Sequence, residues 1–179
     1  MSSGNQEKDF RLYDVRAPRL DDAPEMGRLH VQVWREAYAD SMPADYLAAL
    51  NPADREAIWT KIAAEEAEGT AEQLGKVTRL ATDRETGRLA GFATVAPARD
   101  DDAPLPIELW ALNVLREFHG TGAAGQLLAA TLGDRSAYLW VVEDNGRAQS
   151  FYRKYGFETD GGRSSHDASG AAEVRMVRA

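Results

Sequence analysis

Residues 107–128 read IELWALNVLREFHGTGAAGQLL. The first nine residues form a nearly continuous apolar run, as expected of a strand covered on both faces. After REFH come Gly120, Gly122 and Gly125, a literal G-x-G-x-x-G. Ala124, Leu127, Leu128 and Leu132 then recur at helical spacing, and Gly133 supplies a C-terminal stop. A backbone without side chains can approach a phosphate closely, and the free N–H groups opening a helix favour an anion. The stretch therefore reads as strand, anion loop and helix.

A dinucleotide is the first ligand to weigh. Its fingerprint needs the first glycine at the strand's end, an acid closing the next strand, and further βα units to complete a doubly wound sheet. Glu143 and Asp144 stand where the acid would be, after the strand-like SAYLWVV. The rest fails: REFH separates strand from glycine, and the chain beyond Asp144 offers one helix and a hairpin. No G-K-[ST] follows the glycines either, so a nucleoside triphosphate loop is absent.

Outward from this stretch, the pattern alternates helices and short strands. Residues 1–9 read as a loose tail and 10–179 as one domain, opening with the strand FRLYDVRAP. Asp22 with Glu25 resembles a capping box for a helix carrying Met26, Leu29, His30, Val33 and Ala37 on one face and ending near Tyr38. A short helix over 43–50 and a longer one from Pro52 to Gly69 follow. KVTRLATD, the turn ETGR and LAGFATVAPA predict an antiparallel hairpin. A last helix over 147–155 carries Ala148, Phe151, Tyr152 and Tyr155, and Gly156 ends it. FETD and EVRMVR predict two more strands, joined by the loop GGRSSHDASG.

Composition narrows the function. The chain has 179 residues, no cysteine, and 29 acidic against 21 basic residues, for a formal net charge of -8. Disulfides, thiolate zinc and a cysteine nucleophile are excluded. The acidic balance disfavours nucleic acid or an anionic membrane as partner. The polar start and the lack of a long apolar run lead us to expect a soluble cytoplasmic protein. A small phosphate ligand stays compatible. One charge about 15 Å away through water contributes about 0.3 kcal/mol, against about 1.5–3 kcal/mol for a hydrogen bond to a charged group. The three histidines are scattered and give no metal spacing.

The stretch 107–128 together with VVEDNGRAQSFYRKYGF resembles the GNAT superfamily of acyl-CoA-dependent N-acetyltransferases. Its pyrophosphate signature, [Gln/Arg]-x-x-Gly-x-[Gly/Ala], is matched by His119, Gly122 and Ala124, with histidine departing from the usual first residue. The resemblance implies an α/β fold with a mixed, mostly antiparallel sheet of about six to seven strands flanked by helices. It also implies acetyl-CoA, as acyl donor, between splayed parallel strands. Val114 and Leu115 would pair with the pantetheine. The loop His119, Gly120, Thr121, Gly122, Ala123, Ala124 and Gly125 would hold the pyrophosphate, with no metal.

On that basis the chain is expected to transfer acetyl to a primary amine by direct attack; the alternative is an acyl-CoA-binding sensor or interaction module of the same fold. Tyr152 corresponds to the family's general acid, or packs in the core. Glu108, the single acid in its strand, is the candidate base, or merely begins the strand at a solvated edge. Asn145 caps the last helix and is also a candidate cofactor contact. Trp34 and Tyr38 either line the acceptor pocket or pack. The acidic balance mildly suits a cationic amine, small or peptide-borne. A homodimer is compatible with the sequence.

Overall fold

The structure, a computed structural model, describes residues 12–40, 42–166 and 169–179. The expected tail over 1–9 lies outside them, as do Asp167 and Ala168 of the GGRSSHDASG loop. In chain order the elements are β1 (Tyr13–Arg16), α1 (Ala23–Tyr38), α2 (Ala44–Ala49), α3 (Pro52–Ala67) and α4 (Thr70–Gln73). There follow β2 (Val77–Asp83), β3 (Leu89–Pro97), β4 (Ile107–Val114), α5 (Ala123–Thr131), β5 (Ala137–Val142), α6 (Gly146–Lys154), β6 (Glu158–Ser165) and β7 (Ala172–Arg178). No helix among the described residues is long and apolar enough to cross a membrane.

The strands form one seven-stranded sheet in the order β1-β2-β3-β4-β5-β7-β6. Every neighbouring pair is antiparallel except β4 and β5. Those two run parallel and pair at one position, Glu108 with Tyr138. Beyond it they separate, as the family resemblance implies.

The strand covered on both faces is β3, buried at every position from Leu89 to Ala96. β4, expected in that role, is only half-buried from Trp110 to Val114, because these residues line the opening between the diverging strands. An apolar run thus reports low polarity, and a cleft wall satisfies that as well as a core does.

Local signals fix most helix ends. Asn51 accepts from Ala53 N at the start of α3 (3.0 Å) and Asn145 from Ala148 N at the start of α6 (3.1 Å), each satisfying one orphan donor. Gly133 and Gly156 take positive φ after α5 and α6. The Asp22 capping box of α1 does not form. Its carboxylate instead accepts from Arg19 N (2.7 Å) and from the Arg16 guanidinium through both oxygens (2.7 and 2.8 Å). β6 also runs further than FETD, through Ser165, with an irregularity between Thr159 and Arg163 opposite β7. Pairing overrides the weak strand propensity of its two glycines.

At Gly91, opposite Val114, a Cβ would strike Asn113 O and come within 2.9 Å of Val114 Cα. Backbone cannot yield there as a side-chain tip can. Gly91→Ala is expected to destabilise the fold by about 1–3 kcal/mol, the usual cost of overpacking, read as a lower urea midpoint.

Candidate active site

The separation of β4 from β5 opens a cleft of about 1410 Å³, walled by α1, α3, β4, the glycine loop, α6 and the end of β6. At its fork sits Glu108, 1 % exposed. Arg99, from the loop after β3, donates to Glu108 Oε1 through Nη2 (2.5 Å) and to Oε2 through Nε (3.1 Å). The backbone N–H of Arg99 and the Tyr138 hydroxyl also donate to Oε2, both at 3.2 Å.

Glu108 is therefore not at a solvated edge. Each of its oxygens accepts from at least one donor, and the carboxylate is paired with Arg99. The acid that stands alone in its strand is thus a carboxylate that ties β3's exit to the β4–β5 bridge. The ion pair raises the Arg99 pKa, chiefly through its hydrogen bond to Glu108.

The open edge of β4 follows from ladder geometry. Leu115 N donates to Ala90 O (2.9 Å), so that amide belongs to the sheet and does not serve a ligand as expected. Alternation along an antiparallel pair then turns the N–H and C=O of Val114, and of Leu112 two residues back, away from β3 and toward the gap. Val114, which the resemblance pairs with the pantetheine, thus turns its N–H toward the gap, and so does Leu112. The Val114 carbonyl is already met by His119 Nε2 (2.9 Å).

In the glycine loop, Gly120 and Gly122 adopt φ of 80° and 99°, values that a side chain would make costly. None of the backbone N–H groups from Gly120 to Gly125 has a hydrogen-bond acceptor among the described residues. Six consecutive unbonded amides at a helix N-terminus form an anion cradle. Other parts of the loop are structural. The Thr121 side chain is buried, donating to Phe118 O (2.7 Å) and accepting from the Tyr13 hydroxyl (2.6 Å). Ala123 is also buried. At Gly125 a Cβ would strike the Tyr155 hydroxyl, so its smallness serves the contact between α5 and α6. His119 lies against the Arg147 guanidinium, with Nδ1 at 2.6 Å from Nη1, and burial pushes its pKa down.

Tyr152 is 8 % exposed on the cleft wall contributed by α6. Its ring meets Phe151 and Phe157 edge-on, with centroids 5.4 and 5.8 Å apart. Packing and chemistry thus share the residue: the ring is held, while the hydroxyl has no hydrogen bond among the described residues. Burial, and next the nearby Tyr38 hydroxyl, push its pKa up. Tyr38 is itself raised, by burial first and then by Glu173.

Trp34 and Tyr38 do line the cleft, their rings 5.3 Å apart, with Tyr46 and His166 also against Trp34. Sequence reasoning missed His30, which the α1 stripe assigned to the core. Trp59 Nε1 donates to its Nδ1 (3.2 Å), so the neutral ring carries its proton on Nε2. Burial, then the charge of Arg55, lowers its pKa from 6.5 to about 4.

Fold and cleft together define an acyltransferase-like architecture with an anion cradle beside an aromatic pocket. The model of the acetyltransferase (GNAT) domain matches residues 75–159. The uncharacterized N-acetyltransferase YuaI of Bacillus subtilis is 31 % identical over 171 residues, covering 92 % of this chain and 89 % of that protein. An uncharacterized N-acetyltransferase of Mycobacterium tuberculosis is 38 % identical over 91 residues, covering 48 % of this chain and 56 % of that protein.

Among solved structures, the PaiA N-acetyltransferase of Thermoplasma acidophilum in complex with coenzyme A superposes with a TM-score of 0.66 at 18 % identity, covering 93 % and 98 % of the two chains. A GNAT-family acetyltransferase of Bordetella pertussis gives 0.64 at 17 %, covering 100 % and 98 %. The chain belongs to the GNAT family of N-acetyltransferases.

The depressed His30 has a thermodynamic signature. Between pH 6.5 and 4 the unfolded chain binds this proton and the folded chain does not, so stability falls as pH is lowered across that window. The loss attributable to His30 reaches about 3 kcal/mol by pH 4, at about 1.36 kcal/mol per unit. Urea unfolding of wild type and His30→Gln from pH 7 to 4 should show the difference between them shifting in the variant's favour by that order as pH falls.

Proposed function

We propose that the chain binds acetyl-CoA in the cleft between β4 and β5 and transfers the acetyl group to a primary amine by direct attack in a ternary complex. The observation that carries this is the run of six unbonded amides from Gly120 to Gly125 at the start of α5, beside a strand edge whose Val114 N–H faces the gap. A diphosphate suits the first and an extended amide chain the second. The CoA complex of the Thermoplasma neighbour adds support from the same fold.

Bound there, acetyl-CoA supplies an activated thioester. The chain's own residues do the rest. Loop amides hold the diphosphate, and Val114 N–H and the open edge of β4 orient the pantetheine. The acceptor lies against Trp34 and Tyr38, where partial desolvation disfavours the ammonium form. Its nitrogen forms a bond to the carbonyl carbon as the carbon–sulfur bond breaks; Tyr152 gives its proton to the departing sulfur, and the proton shed by the acylated nitrogen restores the Tyr152 phenol. A tyrosine kept protonated by burial, with its hydroxyl unengaged, is suited to that step. Glu108 and Arg99 act as positioning residues at the fork. With no cysteine in the chain, an acyl-cysteine intermediate has no nucleophile.

Two measurements test this reading. Tyr152→Phe should lower kcat by about 10²-fold, the low end of general acid effects, with CoA affinity by calorimetry within about twofold; an unchanged kcat removes Tyr152 from the mechanism. Acceptor-dependent thiol release from acetyl-CoA, followed across an amine panel, decides the activity. CoA binding without such release would make the chain a binding module, and no response to CoA would reject the cleft assignment.

A further inference from the structure

Arg55, in the first turn of α3, lines the cleft. Among other cations that line it, Lys76 reaches Glu65 (2.7 Å), Lys61 lies 4.0 Å from the same residue's carboxylate, and Arg99 reaches Glu108. The Arg55 side chain meets no carboxylate and makes no hydrogen bond among the described residues. In a chain with 29 acids for 21 basic residues, an arginine left without an acid at a cleft wall runs against the composition. Its guanidinium instead lies over Trp34, 5.7 Å from the ring centroid. A cation–π contact takes up none of the guanidinium's hydrogen bonds and leaves its N–H donors open.

Two further donors belong to the same cluster. Trp34 Nε1 is buried and has no acceptor among the described residues. His30, whose ring centroid is 5.9 Å from that of Trp34, accepts through Nδ1 and so presents its proton on Nε2; that proton has no acceptor among the described residues. Three donors without acceptors, one of them charged, ask for a group that only accepts.

Building on the acetyl-transfer reading, we propose that the acceptor is a primary amine that also carries a carboxylate, the chemical class of the free amino acids, with the carboxylate held by Arg55 beside Trp34 and His30. One charged fork and two neutral N–H groups match a planar monoanion. A phosphate dianion would leave a charge uncompensated, and a polyamine would meet Arg55 as a like charge. The mild preference for a cationic acceptor, drawn from net charge, is thereby replaced by the local arrangement.

The test is thiol release from acetyl-CoA with matched acceptors: each common amino acid, its carboxamide, the amine left by removing the carboxylate, and an aminoalkyl phosphate. The best acid should exceed its own amide and amine in kcat/KM on the order of 10- to 100-fold, as expected of a hydrogen bond to a charged group. Arg55→Ala should bring that ratio toward one, mainly through a higher KM for the acid. Because the ratio is taken within one variant, partial loss of folded protein does not move it. Amides, amines or the phosphate serving as well as the acids would overturn the proposal, as would a ratio that survives in Arg55→Ala. So would silence from every acceptor, and calorimetry with CoA then tells whether the cleft reading fell too.

Discussion

A parallel strand pair that stops pairing is the constraint on which the rest of this molecule depends. β4 and β5 meet at Glu108 and Tyr138 and then part, and each parted edge is left with backbone groups that the sheet no longer satisfies. Buried amides without acceptors are costly, so a divergence of this kind persists only if solvent or a ligand completes it. The fork is fastened where it begins. Arg99 engages both Glu108 oxygens and the Tyr138 hydroxyl joins Oε2, tying the exit of β3, the start of β4 and the start of β5 to one buried carboxylate. Such a pair contributes less through its net energy than through geometry, since desolvation offsets most of the Coulomb attraction. Its consequence is a cleft that opens at a defined place.

Much of this was legible in the chain. The glycine stop signals, the Asn145 cap, the hairpin at ETGR and the stripe of α6 all rest on local chemistry, and local chemistry is what a single sequence carries. The loop that follows β4 was legible for the same reason. The errors share a different cause. Glu108 looked solitary because its partner lies on another strand's exit loop, and nothing in the acidic stretch RDDDAP over residues 99–104 says that its arginine turns inward. Leu115 was chosen over Leu112 because register decides which amides face the gap, and register follows from β3. His30 shows the same limit: its place on an apolar stripe was evident, but the donor from Trp59 that fixes its tautomer comes from α3. Pairings between distant segments separate what is read from what must be seen.

The electrostatics illustrate why net charge is a poor guide to a site. The protein as a whole is acidic, yet its cleft is lined by amides that are unbonded among the described residues and by Arg55. Charges spread over the surface are screened within about one Debye length, some 8–10 Å. Groups within hydrogen-bond reach are not. The diffuse field shapes solubility and encounter, while a few aimed donors choose the ligand.

The two halves of the proposed site are also coupled through packing. Gly125 on α5 leaves room for the Tyr155 hydroxyl, and the Tyr155 ring lies 4.7 Å from that of Phe151, which in turn braces Tyr152. A displacement of α5 that alters the amide cradle therefore presses on the same aromatic chain that holds the candidate acid. Close-packed interiors transmit such shifts because they have little free volume to absorb them. The glycine pattern that first suggested a phosphate thus serves two ends. Gly120 and Gly122 give the loop its left-handed turns, and Gly125 sets the distance between the helix that would hold the carrier and the helix that would protonate its sulfur.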